Sequence, residues 1–272
     1  MFKTIRESLR ITNENIVIAT PLIFFSLITS LYMIFSSGGN TIGLIFSVIL
    51  FFLMFGAFLS GWFYIIIRAV KEPDIESSVL ITEFPAGVGE YFLPALGMII
   101  QVIIVSSLIM LAVVLIGMKV IGSAGVSYTQ FAQATASVEA MKTFAASLSS
   151  EQLVKIGHWN ILMFFGMVLN YFILMLYPAV IFFKKKNPFL AFFIALKDTF
   201  SHRFFKNAGL FLFIFVIYTF ISMFTVLMGK NIVLHFVITL VNFYYITFVG
   251  ILLFNYYYSN FIKIGSNIDA TV

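Results

Sequence analysis

Six long apolar runs constrain this chain more than any other feature. Ile16–Phe35, Ile42–Ile67, Tyr91–Met118, Ile156–Phe183, Asn207–Met228 and Ile232–Phe254 contain no Asp, Glu, Lys or Arg. A helix needs about 20 apolar residues to cross the hydrocarbon of a bilayer, and all six runs reach that length. Only 10% of the 272 residues are charged, where a soluble domain uses roughly 25% to keep its surface in water. The expected fold is an all-α integral membrane protein, a single membrane domain over residues 1–272 with six transmembrane helices.

Lys and Arg in the connections set the orientation. With the N-terminus inside, the cytoplasmic face holds Lys3, Arg6, Arg10, Arg68, Lys71, Lys184, Lys185, Lys186, Lys197, Arg203, Lys206 and Lys263. The outer face holds only Lys119, Lys142, Lys155 and Lys230. This bias predicts both termini inside (N-in/C-in). The first run reads as a retained span, because a cleaved signal has a shorter apolar core of about 7–15 residues; Ser36-Ser37-Gly38-Gly39 is only faintly cleavage-like. Trp62, Trp159 and Tyr256, Tyr257 and Tyr258 fit interfacial belts. Pro21 and Pro94 are expected in first helical turns, and Pro178 should bend the fourth span.

Three cytoplasmic segments each introduce a hairpin. Phe2–Asn15 places Phe2, Ile5 and Leu9 at helical spacing. Lys71–Glu90 is the most acidic stretch. Pro188–Lys206 carries Phe189, Phe192, Phe193, Leu196, Phe200 and Phe204 on one side, with Lys197, Asp198, His202 and Arg203 elsewhere. This is the pattern of an amphipathic helix lying in the headgroups. Ile5-Arg6-Glu7-Ser8-Leu9 matches Leu196-Lys197-Asp198-Thr199-Phe200 class for class, which points either to a repeated unit or to two generic basic helices. The connection 119–155 predicts an external helical cap. Phe131, Ala134, Val138, Met141, Ala145 and Leu148 form a seam of period 3.5, with Thr129 as N-cap and Ser149 with Gln152 as a capping box.

No carboxylate lies inside a span, which argues against a proton-driven pump, since such a carrier places an ionisable group at membrane depth. Three amides do lie near mid-span: Gln101, Asn170 and Asn242. They read as interhelical hydrogen-bonding groups, or as a polar cluster that converges, with Tyr171 and Tyr244, on a polar solute or headgroup path. Gly56, Ala57, Ser60 and Gly61 allow close helix approach in the second span. The chain has no Cys, so thiolate chemistry and Cys-based metal sites are excluded. His158 and His235 alone make a poor zinc site, and no cofactor is expected. Lys184, Lys185, Lys186, Lys197, Arg203 and Lys206 form a basic segment suited to anionic lipid at the cytoplasmic face, or to attraction by the acidic loop 68–90.

The run from Pro178 through Lys184-Lys185-Lys186-Asn187-Pro188-Phe189 to Phe205-Lys206-Asn207 resembles a pattern in poorly characterised bacterial membrane proteins. Among them is the membrane domain attached to some glycerophosphodiester phosphodiesterases. The resemblance covers the last third of the chain and implies a multi-span anchor or accessory domain in a prokaryotic cytoplasmic (inner) membrane. It carries no catalytic residue across. No H-E-x-x-H, G-x-S-x-G or Gly-rich phosphate loop is present, so the chain is expected not to be an enzyme. The expected function is a non-enzymatic membrane component: a scaffold, an assembly factor or an accessory subunit. The alternative is a small transporter or permease subunit. Expected partners are the bilayer, anionic lipids and other membrane subunits, with no nucleic acid.

Overall fold

The computed structural model describes residues 1–36, 41–135, 137–228 and 231–263. Lys230 and residues 37–39 lie outside the described residues, as do the side chains of Phe131 and Val138. The helices in chain order are α1 (Phe2–Glu14), α2 (Ala19–Ser36), α3 (Thr41–Lys71), α4 (Ser77–Thr82) and α5 (Phe84–Val120). Then come α6 (Tyr128–Ala134), α7 (Val138–Ser147), α8 (Ser150–Leu174), α9 (Tyr177–Phe183), α10 (Pro188–Thr199), α11 (Phe204–Met228) and α12 (Ile232–Tyr257). A 3₁₀ turn at Ile16–Ile18 joins α1 to α2, and α12 runs on into a π turn at Tyr258–Ile262. No strand occurs among the described residues. Among the described residues, six stretches are long and apolar enough to cross a membrane: Ile16–Ile34, Gly43–Lys71, Phe84–Val120, Ser150–Phe183, Phe204–Leu227 and Ile232–Ile262. The chain therefore reads as a multi-pass membrane protein.

The chain divides into two compact units, Met1–Gln101 with Ile173–Val272, and Val102–Phe172. In the first unit the core lies at one end of the helices, where Ile65, Ile66 and Ala69 of α3 are fully buried. Leu176, Tyr177, Val180 and Ile181 around α9, and Ile251, Leu252, Phe254 and Tyr257 of α12, are buried as well, and the three helices pack on one another. Aromatic rings knit this end together. Phe63 lies 5.2 Å from Phe254 and 5.4 Å from Phe182, and Phe182 stacks on Tyr91 at 4.4 Å. Such ring pairs add about 0.5–1.5 kcal/mol each beyond their buried area.

Small residues let the backbones approach here. A Cβ added to Gly87 of α5 would stand 3.1 Å from Cα of Gly61 in α3, and one added to Gly61 would stand 2.7 Å from the Phe84 ring. Gly56 similarly lies against Leu96. This close crossing explains the small-residue spacing of the second span in terms of helix packing.

Several sequence expectations need correction at this end. Pro94 lies well inside α5, which begins at Phe84 with Pro85 in its first turn, so the Glu90 carbonyl loses its usual donor. Trp62 does not sit in an interfacial belt. It is 5% exposed, and its Nε1 donates at 3.0 Å to the Ile18 carbonyl at the 3₁₀ turn. Tyr256 and Tyr257, at 1% and 0% exposure, are core residues as well. Pro178 does more than bend its span: α8 stops at Leu174, and α9 restarts with Pro178 in its first turn, where the missing N–H costs nothing.

The amphipathic segments form helices, but with different buried faces from those expected. α1 buries Thr4, Ile5, Ser8, Ile11 and Thr12 against the first unit while Phe2 and Leu9 stay exposed. α10 buries the small residues Ala191, Ala195 and Thr199 and turns Phe189, Phe193 and Phe200 outward. Asn187 caps α10, accepting from the Phe189 and Leu190 amides, ahead of Pro188 at the first helical position.

In the second unit, Gly166 of α8 packs on Val113 of α5, and Trp159 lies over Gly117. α5 ends with Gly122 in the left-handed region (φ 77°), its N–H reaching back to the Gly117 carbonyl, a termination that glycine favours. Trp159 Nε1 donates to the freed Gly122 carbonyl at 3.0 Å. The connection is helical but not one continuous seam: Ser137 caps α7 by accepting from the Ala140 amide, which separates α7 from α6. Ser127, and not Thr129, caps α6, exchanging bonds with Gln130. Ser149 and Gln152 form the expected capping box at the start of α8.

Candidate functional site

The end of the first unit that carries Arg68, Lys71, Lys184 and Arg203, called here the basic end, holds a connected polar network. It begins where α10 stops. A helix leaves its last carbonyls without intrahelical donors, and here the next helix supplies them. Asn207 of α11, fully buried, donates through Nδ2 to the Asp198 and Thr199 carbonyls at 3.0 and 2.9 Å. Its Oδ1 accepts from the Tyr256 hydroxyl at 2.7 Å. The Asp198 carboxylate accepts from the Tyr257 hydroxyl at 2.7 Å and from Lys184 Nζ at 3.1 Å. Two adjacent tyrosines of α12 thus hold both sides of the α10–α11 break.

The same stretch of α12 reaches α1 and the π turn. Asn255 Nδ2 donates to the buried Ser8 hydroxyl at 3.1 Å. Asn260 Nδ2 donates to the Tyr256 carbonyl at 2.9 Å, and its Oδ1 accepts from Arg203 Nη1 at 2.8 Å. Tyr256 thus joins the network through its carbonyl as well as its hydroxyl. Ser8 and Thr199, the equivalent positions of the two matching pentapeptides, are both fully buried, but Ser8 joins the network through its hydroxyl and Thr199 only through its backbone carbonyl, its Oγ1 having no partner among the described residues.

Cations and rings converge on the same place. Lys184 Nζ stands 5.2 Å from the Tyr257 ring and 5.7 Å from Phe261, and the Arg203 guanidinium stands 5.8 Å from Phe261. Lys71 Nζ stands 5.6 Å from Phe183, whose ring stacks on Tyr258 at 5.5 Å and on Tyr257 at 6.3 Å. Tyr257 and Phe261 stack at 5.0 Å.

Of the six basic residues read from the sequence, three are engaged within the protein: Lys184 and Arg203 as above, and Lys186, which pairs with Glu90 at 2.7 Å. That pair joins the basic segment to the acidic loop. Lys185, Lys197 and Lys206 are exposed and make no ion pair with a described residue. Of the amides, Asn170 accepts from the Ser106 hydroxyl at 3.2 Å within the second unit. Gln101 is 7% exposed, and its Oε1 has no donor among the described residues. Asn242 is half-buried and not hydrogen-bonded to Gln101. Tyr244 donates instead to Asn13 of α1 at 2.6 Å, and Tyr171 is exposed. His158 and His235 are exposed, and no group of three or more metal-ligating side chains occurs among the described residues.

Sequence reasoning missed Asn207, Asn255 and Asn260, and read Tyr256 and Tyr257 as belt residues. The signal was present in the run Asn255-Tyr256-Tyr257-Tyr258-Ser259-Asn260, where amides flank tyrosines at a span end. No family model, curated protein or solved structure matches this chain.

Proposed function

We propose that this chain is a non-enzymatic, multi-span component of a prokaryotic inner membrane, with both termini inside, serving as a scaffold, assembly factor or accessory subunit of a membrane complex. The observation that carries the reading is uneven burial. Only 6% of the most apolar window of Phe204–Leu227 is buried, and Phe220, Met223, Phe224, Val226 and Leu227 all stay exposed. Apolar faces of this extent are surfaces for lipid or for other membrane subunits. The implied resemblance of residues 178–207 to membrane anchor domains points the same way. Purification of the full chain from its native membrane in mild detergent, with mass spectrometry of co-purifying proteins, tests it. Stoichiometric partners support the component reading, and a lone stable monomer counts against it.

A second reading, a small transporter or permease subunit, draws on the unpartnered Gln101 carbonyl oxygen. A buried acceptor without a donor costs about 1–3 kcal/mol, and a passing polar solute could satisfy it. Uptake into proteoliposomes containing the chain alone separates this reading from the first.

A further inference from the structure

We propose that Lys71, Lys184 and Arg203, gathered over Phe183, Tyr257 and Phe261 at the basic end of α12, bind the phosphate of an anionic lipid headgroup. The inference needs only that the chain sits in a membrane, so it stands or falls separately from the component reading. Charge balance is its starting point. Two neighbouring cations are matched: Arg68 donates to Glu72 at 2.6 Å and to Glu83 at 3.1 Å, and Lys186 pairs with Glu90. Lys71 and Arg203 have no carboxylate partner among the described residues. Lys184 shares Asp198, whose oxygen also accepts from Tyr257. Three cations therefore face one carboxylate.

Their hydrogen-bonding capacity is also largely unspent. An aromatic face attracts a cation without consuming its N–H donors. The Lys71 ammonium keeps three donors, and the Arg203 guanidinium, with one bond to Asn260, keeps a planar edge of the kind that matches phosphate oxygens in pairs. The rings fix where these groups sit. Lys184 and Arg203 share Phe261, and Lys71 is tied to the same stack through Phe183. This separates the cluster from Lys185, Lys197 and Lys206, which extend singly from exposed positions. The platform also stands at the end of a candidate membrane span, Ile232–Ile262, where a headgroup and not an acyl chain is expected.

The test titrates the purified full chain with phosphatidylglycerol and, separately, with phosphatidylcholine of the same acyl chains, counting retained lipid by native mass spectrometry. Phosphatidylglycerol is expected to bind with clear preference. The Lys71→Gln/Arg203→Gln variant is expected to lose about thirtyfold in that affinity, at about 1 kcal/mol per cation, while Lys185→Gln/Lys206→Gln loses less than threefold. Equal losses in the two variants would mean that only general surface charge matters and would overturn the site. So would displacement of the lipid by inorganic phosphate at equal concentration, which would make free phosphate the occupant. Arg203→Gln disturbs the Asn260 bond, so Lys71→Gln alone, at an exposed position, serves as a second variant; retention of full phosphatidylglycerol affinity by it would also overturn the proposal.

Discussion

The two halves of α12 are nearly equal in apolar content and differ almost completely in what they touch. From Ile232 to Tyr244 the side chains stay largely exposed, with Ile238 the one buried residue. From Tyr245 to Tyr257 they are almost all buried, against α3, α9 and α1. In a bilayer, apolarity by itself does not drive helices together, since lipid tails are as apolar as Leu. Close association needs backbone approach and hydrogen bonds. The second half has both, from the small-residue crossing with α3 at Gly250 to the hydroxyls and amides of Asn255, Tyr256 and Tyr257. The first half has only the bond from Tyr244, at its last residue, to Asn13, and the rest of it is left to lipid or to a partner.

If close approach is what fixes the buried end of this unit, filling the α3–α5 crossing there should do the most damage. Gly61→Leu would drive its side chain into the Phe84 ring and the Gly87 backbone. A loss of about 3 kcal/mol or more is expected, at the upper end of overpacking costs. Gly157→Leu, at a position where an added Cβ meets nothing within 4 Å, is the control and should shift stability by under about 0.5 kcal/mol. Thermal unfolding in detergent reads both, and equal shifts would break the comparison.

The polar contribution is next in size. Asn207→Leu strands the Asp198 and Thr199 carbonyls and the Tyr256 hydroxyl, at about 1–3 kcal/mol. Asn242→Leu, the same change in the looser half of α12, should lie within about 0.5 kcal/mol. Trp62→Phe, which removes the donor to Ile18 and part of the ring packed on Gly250, should cost about 1–2 kcal/mol. An interfacial Trp anchored only by headgroups would instead tolerate Phe in detergent.

The spans were legible because a run without charge has one physical use, and their ends differed from expectation by a turn or two where helix continued into polar sequence, as at Phe84. The basic end was less legible for a specific reason. Tyr256 and Tyr257 carry the composition of an interfacial belt, and only the turn between α10 and α11 brings Asp198 and Asn207 to their hydroxyls. α10 misled in a similar way. Its aromatic side was the conspicuous one in sequence, yet Ala191, Ala195 and Thr199 make the buried face, because small residues let a short helix lie close against α9.

Gln101 gives the smallest expected effect and separates two kinds of buried amide. Asn207 has all its neighbours supplied by the fold, whereas Gln101 Oε1 is buried with no donor. Replacing a satisfied amide by Leu loses hydrogen bonds, but replacing an unsatisfied one removes a desolvated acceptor. Gln101→Leu should therefore leave stability unchanged or raise it by about 1 kcal/mol, in contrast to Asn207→Leu. If Gln101→Leu lowers the unfolding temperature instead, the side chain has a partner in the membrane, a lipid or another subunit. Combining it with Asn170→Leu and Asn242→Leu extends the question to function. A stable triple variant with unchanged activity would remove the basis for reading these amides as a solute path, and leave Asn170 with Ser106 as helix-to-helix bonding alone.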